Sequence, residues 1–322
     1  MTGKDFLTPG HISLREAKNR EDWYHMEQLT NQKKLRPWMG FVAQAGFLVL
    51  FLTAGAWVQR NLGIPGLVLS ELMFLVVSVG YCLIRRVKLK EMFPMKKITL
   101  CEFFGTVILG AAGFMLSLLC VGISLTVLPV SFREEVTGLN EYIYGSMNLP
   151  VLVAVVAVLP AICEEAMERG CVLSHFRSIK KDWVIILIMG VFFGIMHWSP
   201  LRFLNTAMLG ALLSYLMVKK NNILLPMLLH FGNNFVSVVL GYLGQSLTRG
   251  ESADLTNIDT VQLMGSYLFL SCAAPVLVVT AMMLIDREHH KPVRYAIAGS
   301  LSGIMFFLGI FLMSVSTMFA SA

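Results

Sequence analysis

Long apolar runs separated by short polar segments dominate the chain. Most runs approach the ~20 residues that an α-helix needs to cross about 30 Å of hydrocarbon. Nine candidate spans follow, at 38–58, 62–84, 101–129, 149–174, 183–199, 201–218, 222–245, 262–285 and 293–319. The fifth and sixth are short and only Pro200 separates them, so a single re-entrant hairpin is the alternative. The pattern predicts an all-α polytopic membrane bundle of eight or nine transmembrane helices.

Composition excludes a water-soluble globule. Of the 322 residues, 56% are hydrophobic and 14% are charged, whereas soluble domains carry about 25% charged residues. The net charge of +6 comes from short Lys and Arg blocks between apolar runs, so no nucleic-acid partner is expected. The six cysteines are scattered without a CxxC pair, and neither a disulfide framework nor a zinc ribbon is indicated.

The basic residues predict the orientation in the membrane. Twenty-one of the 26 Lys and Arg residues lie in the first 36 residues and in alternate loops, only four lie in the other loops, and one lies inside a span. Cytoplasmic loops hold the excess of Lys and Arg in membrane proteins. We therefore expect an integral membrane protein with a cytoplasmic N-terminus. Nine spans would place the C-terminus on the opposite side.

The fourth span contains four ionisable residues within six positions, Glu164, Glu165, Glu168 and Arg169. Each charge would cost about 3 kcal/mol in lipid, so the group must face the protein interior or a wet cavity. Glu165 and Arg169 are four residues apart and should form a salt bridge. Glu164 and Glu168 form a second stripe, in which Glu164 is the candidate base. The alternative is a polar cluster that only holds helices together.

Two later spans contain histidines in apolar surroundings. His197 lies on one helical stripe with Gly190 and Gly194, a GxxxG pair that allows a neighbouring backbone to approach closely. His230 and Asn234 are one turn apart in the seventh span. Alone, each could be a satisfied core residue or a polar link between helices. Together the three segments supply a base, a water-orienting imidazole and oxyanion donors, a set that suits water attack on a carbonyl.

These segments resemble the CPBP family, which includes the type II CAAX prenyl endopeptidases and bacterial relatives. The EExxxR, FxxxH and HxxxN motifs correspond here to Glu164, Glu165 and Arg169, to Phe193 and His197, and to His230 and Asn234. The resemblance implies a glutamate-dependent intramembrane endopeptidase. Glu164 and His197 would activate water, while His230 and Asn234 would stabilise the oxyanion. Glu168 departs from the family, which more often has an apolar residue there.

The apolar spans and the resemblance, which covers only about 149–245, divide the chain into four parts. We expect a cytoplasmic tail at 1–37, N-terminal transmembrane helices at 38–130, a CPBP-like catalytic bundle at 149–245 and C-terminal transmembrane helices at 260–322. Two polar residues in the early spans, Gln44 and Glu71, are expected to pair within the bundle or to face a cavity. We assign neither of them chemistry, nor Glu102 at a span entrance.

Cofactors and partners follow from the same motifs. Water activation without a metal is favoured, and the alternative is a divalent metal such as zinc on two His and a Glu. The expected partners are the lipid bilayer and a membrane-associated peptide or protein substrate, in a bacterial cell membrane. The rival functions are a cation- or proton-coupled transporter and a non-catalytic protease-like scaffold in immunity or regulation.

Overall fold

The computed structural model describes residues 35–132, 143–247, 259–286 and 292–320, and these residues form helices without any strand. This confirms the all-α polytopic bundle. The helices that build it are α1 (Pro37–Leu62), α2 (Ile64–Ile84), α3 (Leu89–Met92), α4 (Leu100–Val127), α5 (Leu149–Phe176), α6 (Asp182–Met196), α7 (Pro200–Lys220), α8 (Leu224–Leu247), α9 (Thr260–Leu270), α10 (Ala274–Ile285) and α11 (Pro292–Ala320).

Eight helical segments of the described chain are long and apolar enough to cross a membrane, with α9 and α10 together forming one of them. The fifth predicted span is the exception. It corresponds to α6, whose 15 residues extend only about 22 Å at 1.5 Å per residue. That length is too short for about 30 Å of hydrocarbon. Eight helices of the described chain thus have the length of a membrane span, and α6 is an additional short apolar helix.

Helices α6 and α7 form a tight antiparallel hairpin. A methyl group added at Gly190 would lie 2.8 Å from the Ala207 carbonyl oxygen, and one added at Gly194 would lie 2.9 Å from the Ala207 side chain. The GxxxG pair thus allows the close backbone approach that its spacing predicts. At the other end of the hairpin, Lys219 Nζ lies 2.8 Å from Asp182 Oδ2. The start of α6 and the end of α7 therefore lie on the same face of the bundle.

The helix ends that flank the Lys- and Arg-rich loops lie together on that face. We call it the basic face, and its residues include Phe41, Glu102, Phe176, Asp182, Lys219, Lys220 and Ile285. Lys220 Nζ lies 2.8 Å from Glu102 Oε1 at the start of α4 and donates to the Ile285 carbonyl at the end of α10. The Phe41 and Phe176 rings, 5.4 Å apart, join the start of α1 to the end of α5. Loops that alternate along the sequence are thus neighbours in space.

We expect reporters at the two chain ends to lie on opposite sides of the membrane, with the N-terminus cytoplasmic. The start of α6 and the end of α7 both lie on the basic face. The hairpin therefore leaves the chain on the same side of the membrane, however deeply it inserts. The 29 residues of α11 start from the basic face and can reach the other side. Reporter tags at each end, assayed in intact and permeabilised cells, measure this. Two tags on one side would contradict the arrangement.

Helix α5 is positioned between two groups of helices. It packs against α1 and α2 on one side and against α7 and α8 on the other, while α4 supports α7, α8 and α10. Two widened π-helical segments interrupt α5, at Val153–Val158 and Ala166–Val172. Such segments shift the helical register locally and are frequent at functional sites. The second one contains Glu168 and Arg169.

Candidate active site

Arg169 is the centre of the buried charge cluster on α5. Its side chain and that of Glu165 have no exposed surface, and its Nη1 lies 2.9 Å from Glu165 Oε1. This is the ion pair that the four-residue spacing predicts. Its Nη2 also donates to the Gly210 carbonyl on α7 at 2.9 Å. The guanidinium lies 4.6 Å from the centre of the Phe193 ring on α6. One arginine therefore connects three helices.

Gly210 has no room for a side chain. A methyl group there would lie 2.5 Å from Phe193 Cβ. We expect Gly210→Ala to lower the free energy of unfolding by about 1–3 kcal/mol, because overpacking displaces the helices and moves the carbonyl that accepts from Arg169. Thermal unfolding in detergent measures this. The control is Gly80→Ala on α2, where a methyl group meets no atom within 4 Å. Equal midpoints for both variants would contradict this packing.

Glu165 also orients His230. His230 Nδ1 lies 2.8 Å from Glu165 Oε1, the same oxygen that accepts from Arg169. Since a carboxylate oxygen accepts, Nδ1 carries the hydrogen and Nε2 is directed away from the ion pair. The contact joins α5 to α8 and aligns the first motif with the third. Spacing along the sequence could not reveal it, because the two residues are 65 positions apart.

The end of α6 sets the tautomer of His197. The His197 amide bonds to the Gly194 carbonyl at 3.3 Å, so the Phe193 carbonyl is left to the imidazole, whose Nδ1 lies 2.8 Å away. A carbonyl oxygen only accepts, so Nδ1 carries the hydrogen. In the neutral ring, Nε2 then has a free lone pair that can accept a proton or a hydrogen bond from water.

The Phe193 ring holds the two histidines in one group. Its centroid lies 4.8 Å from that of His197 and 5.6 Å from that of His230, both edge-on. With the guanidinium of Arg169 on the same ring, Phe193 contacts one residue of each motif. The aromatic position of the second motif is therefore a packing centre of the site, a role that the sequence alone did not assign.

Asn234 is anchored to α5 at the first π-helical segment, Val153–Val158. Pro160 has no N–H, so the Val156 carbonyl four residues before it cannot form an ordinary α-helical hydrogen bond. The Asn234 side-chain nitrogen donates to that carbonyl at 3.1 Å. The neighbouring Asn233 donates to Asn234 Oδ1 at 3.2 Å. The amide of Asn234 is thus oriented, and one of its two N–H groups remains for another acceptor.

Glu164 lies on the half-buried side of α5, unlike its fully buried neighbour Glu165. It is close enough to His230 and to Glu71 on α2 for their charges to interact. His197 is also close enough to His230 for the charges of the two rings to interact. Helices α5, α6 and α8 thus bring all four candidate catalytic residues into one region. Glu71, which sequence reasoning left without a role, lies beside it.

A catalytic zinc ion is usually held by three protein ligands. Among the described residues, no three His, Cys, Asp or Glu side chains converge where they could hold a metal ion. The Nδ1 atoms of both site histidines have protein partners, which leaves only their Nε2 atoms as potential ligands. The proposal below contains no metal step.

The comparisons with known proteins concern the same helices. Residues 146–236 match the family described as type II CAAX prenyl endopeptidase Rce1-like. The matched segment covers less than a third of the chain and contains α5, α6, α7 and the first half of α8. The match confirms the resemblance predicted from the three motifs and supports a CAAX-type intramembrane protease family. No curated protein and no solved structure gives a significant match.

Proposed function

We propose that this protein is an intramembrane endopeptidase that hydrolyses a peptide bond with water activated by Glu164. The observation that carries the proposal is the convergence of three separate motifs on one group, through the contacts of Glu165 with His230 and of Phe193 with both histidines. A cluster that served only to link helices would not need a half-buried carboxyl beside an oriented imidazole.

The proposed reaction begins with one water molecule between Glu164 and His197. Glu164 takes a proton from the water, whose oxygen attacks the peptide carbonyl carbon. The free Nε2 of His197 accepts the other water hydrogen as a hydrogen bond and orients the attack. The carbonyl π bond opens to an oxyanion. Glu164 then returns its proton to the amide nitrogen as the C–N bond breaks, which leaves a carboxyl group and an amine.

The oxyanion is stabilised from α8 in this scheme. The free N–H of Asn234 donates one hydrogen bond. His230 donates a second through Nε2 when the ring carries both protons. Glu165 and Arg169 do not touch the substrate. They are positioning residues that hold His230 and the α5–α7 contact.

We propose a membrane-associated peptide or protein as the substrate class. The site lies within the membrane-crossing part of the bundle, so a scissile bond must enter from the bilayer or its surface. Water must reach Glu164 through an aqueous opening, since lipid cannot deliver it. The basic face is the expected side of entry, because Glu164 on α5 and His230 on α8 lie in the halves of their helices nearer to it.

We expect Asn234→Ala to lower kcat by about 10²-fold or more, because an oxyanion donor acts mainly in the transition state. The measurement is hydrolysis of a peptide library by the purified protein in detergent, with products identified by mass spectrometry. The control is Ser237→Ala, one turn further along α8, whose hydroxyl only donates to the Asn233 carbonyl. A raised KM with unchanged kcat for Asn234→Ala would argue against the oxyanion role. Wild-type protein that cleaves no peptide in the library would count against the proposed function itself.

A further inference from the structure

Glu168 is a buried carboxyl that the proposed reaction does not use. Its side chain and that of Gln44 on α1 are almost completely buried, at 0% and 5% exposure. Gln44 Nε2 donates to Glu168 Oε1 at 3.0 Å and also reaches the Phe192 carbonyl at 3.5 Å. This link between α1, α5 and α6 connects positions 124 residues apart.

Each group in this link has one oxygen left over. Glu168 Oε2 and Gln44 Oε1 are both buried without a hydrogen-bond partner. If Glu168 were ionised, both atoms would be pure acceptors, and a buried unsatisfied acceptor costs about 1–3 kcal/mol. A proton on Oε2 converts that atom into a donor. A carboxylic acid and a primary amide can then form two reciprocal hydrogen bonds.

Complete burial disfavours an ionised Glu168, and its cationic neighbour Arg169 forms its ion pair with Glu165 instead. Arg169 uses its two Nη atoms for Glu165 and the Gly210 carbonyl, and its Nε and Glu168 Oε2 are both without partners. The carboxyls of Glu164 and Glu165 also lie near Glu168 on α5 and would repel a further negative charge. The group that faces Glu168 from α1 is the neutral Gln44 amide, which also reaches the Phe192 carbonyl on α6.

We propose that Glu168 carries a proton and pairs with Gln44 through two reciprocal hydrogen bonds, an uncharged polar lock that holds α1 on α5 and α6. The lock joins α1 to the backbone beside Phe193, which contacts both histidines. It also leaves the catalytic region without an extra negative charge. The inference does not depend on the proposed hydrolysis, because its test needs no substrate.

The test is infrared difference spectroscopy of the full-length protein in detergent, wild type against Glu168→Gln. The spectrum should lose one C=O band of a protonated carboxyl, while the thermal midpoint stays unchanged, because an amide can form the same reciprocal pair. Glu102→Gln is the control, since Glu102 forms an ion pair with Lys220 and should lose carboxylate bands. Loss of carboxylate bands in Glu168→Gln, or failure of that variant to fold, would overturn the proposal.

A second variant tests the partner. Gln44→Leu should shift the Glu168 C=O band to higher frequency, because the carboxyl loses its hydrogen bonds, and should lower the thermal midpoint. If the band kept its position in Gln44→Leu, the Glu168 carboxyl would not be hydrogen-bonded to Gln44, and the proposed pair would be wrong. Peptide hydrolysis, measured in parallel, reports on the proposed function separately.

Discussion

Glu164→Gln should abolish peptide hydrolysis while the protein still folds. The amide has the size of the carboxyl but cannot take a proton from water. A positioned general base contributes about 10²- to 10⁴-fold to a rate, so the loss should fall in or above that range. Hydrolysis of peptides identified as substrates of the wild type, measured at matched protein concentration, gives the ratio. The thermal midpoint shows that the fold is intact.

The matched control is Glu168→Gln, the same chemical change one turn further along α5. Glu168 faces Gln44 on α1, so this variant should hydrolyse peptides at close to the wild-type rate. Equal cleavage by wild type and Glu164→Gln would contradict the assignment of Glu164 as the base and would place catalysis elsewhere. Loss of activity in both variants would mean that the whole acidic stripe, and not one carboxyl, supports the reaction.

Arg169→Ala should be the most destabilising single change in the site. It leaves the buried Glu165 carboxylate without its cation and the Gly210 carbonyl without its donor. Removing one partner of a buried ion pair costs about 3–5 kcal/mol. Arg169→Lys should fail to restore stability, because one ammonium cannot reproduce a planar group that bonds two acceptors and lies on an aromatic ring. Folded yield and thermal unfolding in detergent measure both variants.

An exposed ion pair of similar length is the control for the buried Arg169–Glu165 pair. Lys219 and Asp182 are 2.8 Å apart, but their side chains are 32% and 47% exposed. Exposed pairs contribute about 0–1 kcal/mol, so Lys219→Ala should change the midpoint little. Normal yield and stability of Arg169→Ala would show that the buried pair is not structural.

Both predictions depend on features that the sequence already contains. Helical spacing identifies the Glu165–Arg169 pair because i and i+4 side chains meet on any α-helix. The GxxxG stripe at Gly190 and Gly194 predicts a close helix contact for the same local reason. Glu164, His197 and His230 are identified because polar groups are rare inside apolar spans.

Helix α6 shows where counting apolar residues fails. The run at 183–199 is long enough to suggest a span, but the helix ends at Met196, where the Phe193 carbonyl is taken by a side chain. The short helix remains stable because it packs on α7 along its length. Whether an apolar run forms a complete crossing thus depends on its neighbour, which hydropathy does not report.

By itself, the sequence determined the fold class, the apolar spans, the division of basic loops and the residues of the three motifs, because each depends on composition or on spacing within one helix. Only the tertiary structure decided how those residues are partnered. The contacts of Glu165 with His230, of Arg169 with Gly210, of Asn234 with Val156 and of Glu168 with Gln44 join residues 41 to 124 positions apart. Helical periodicity indicates a packing face on one helix but not which helix meets it, so these contacts could not be derived before the helices were packed.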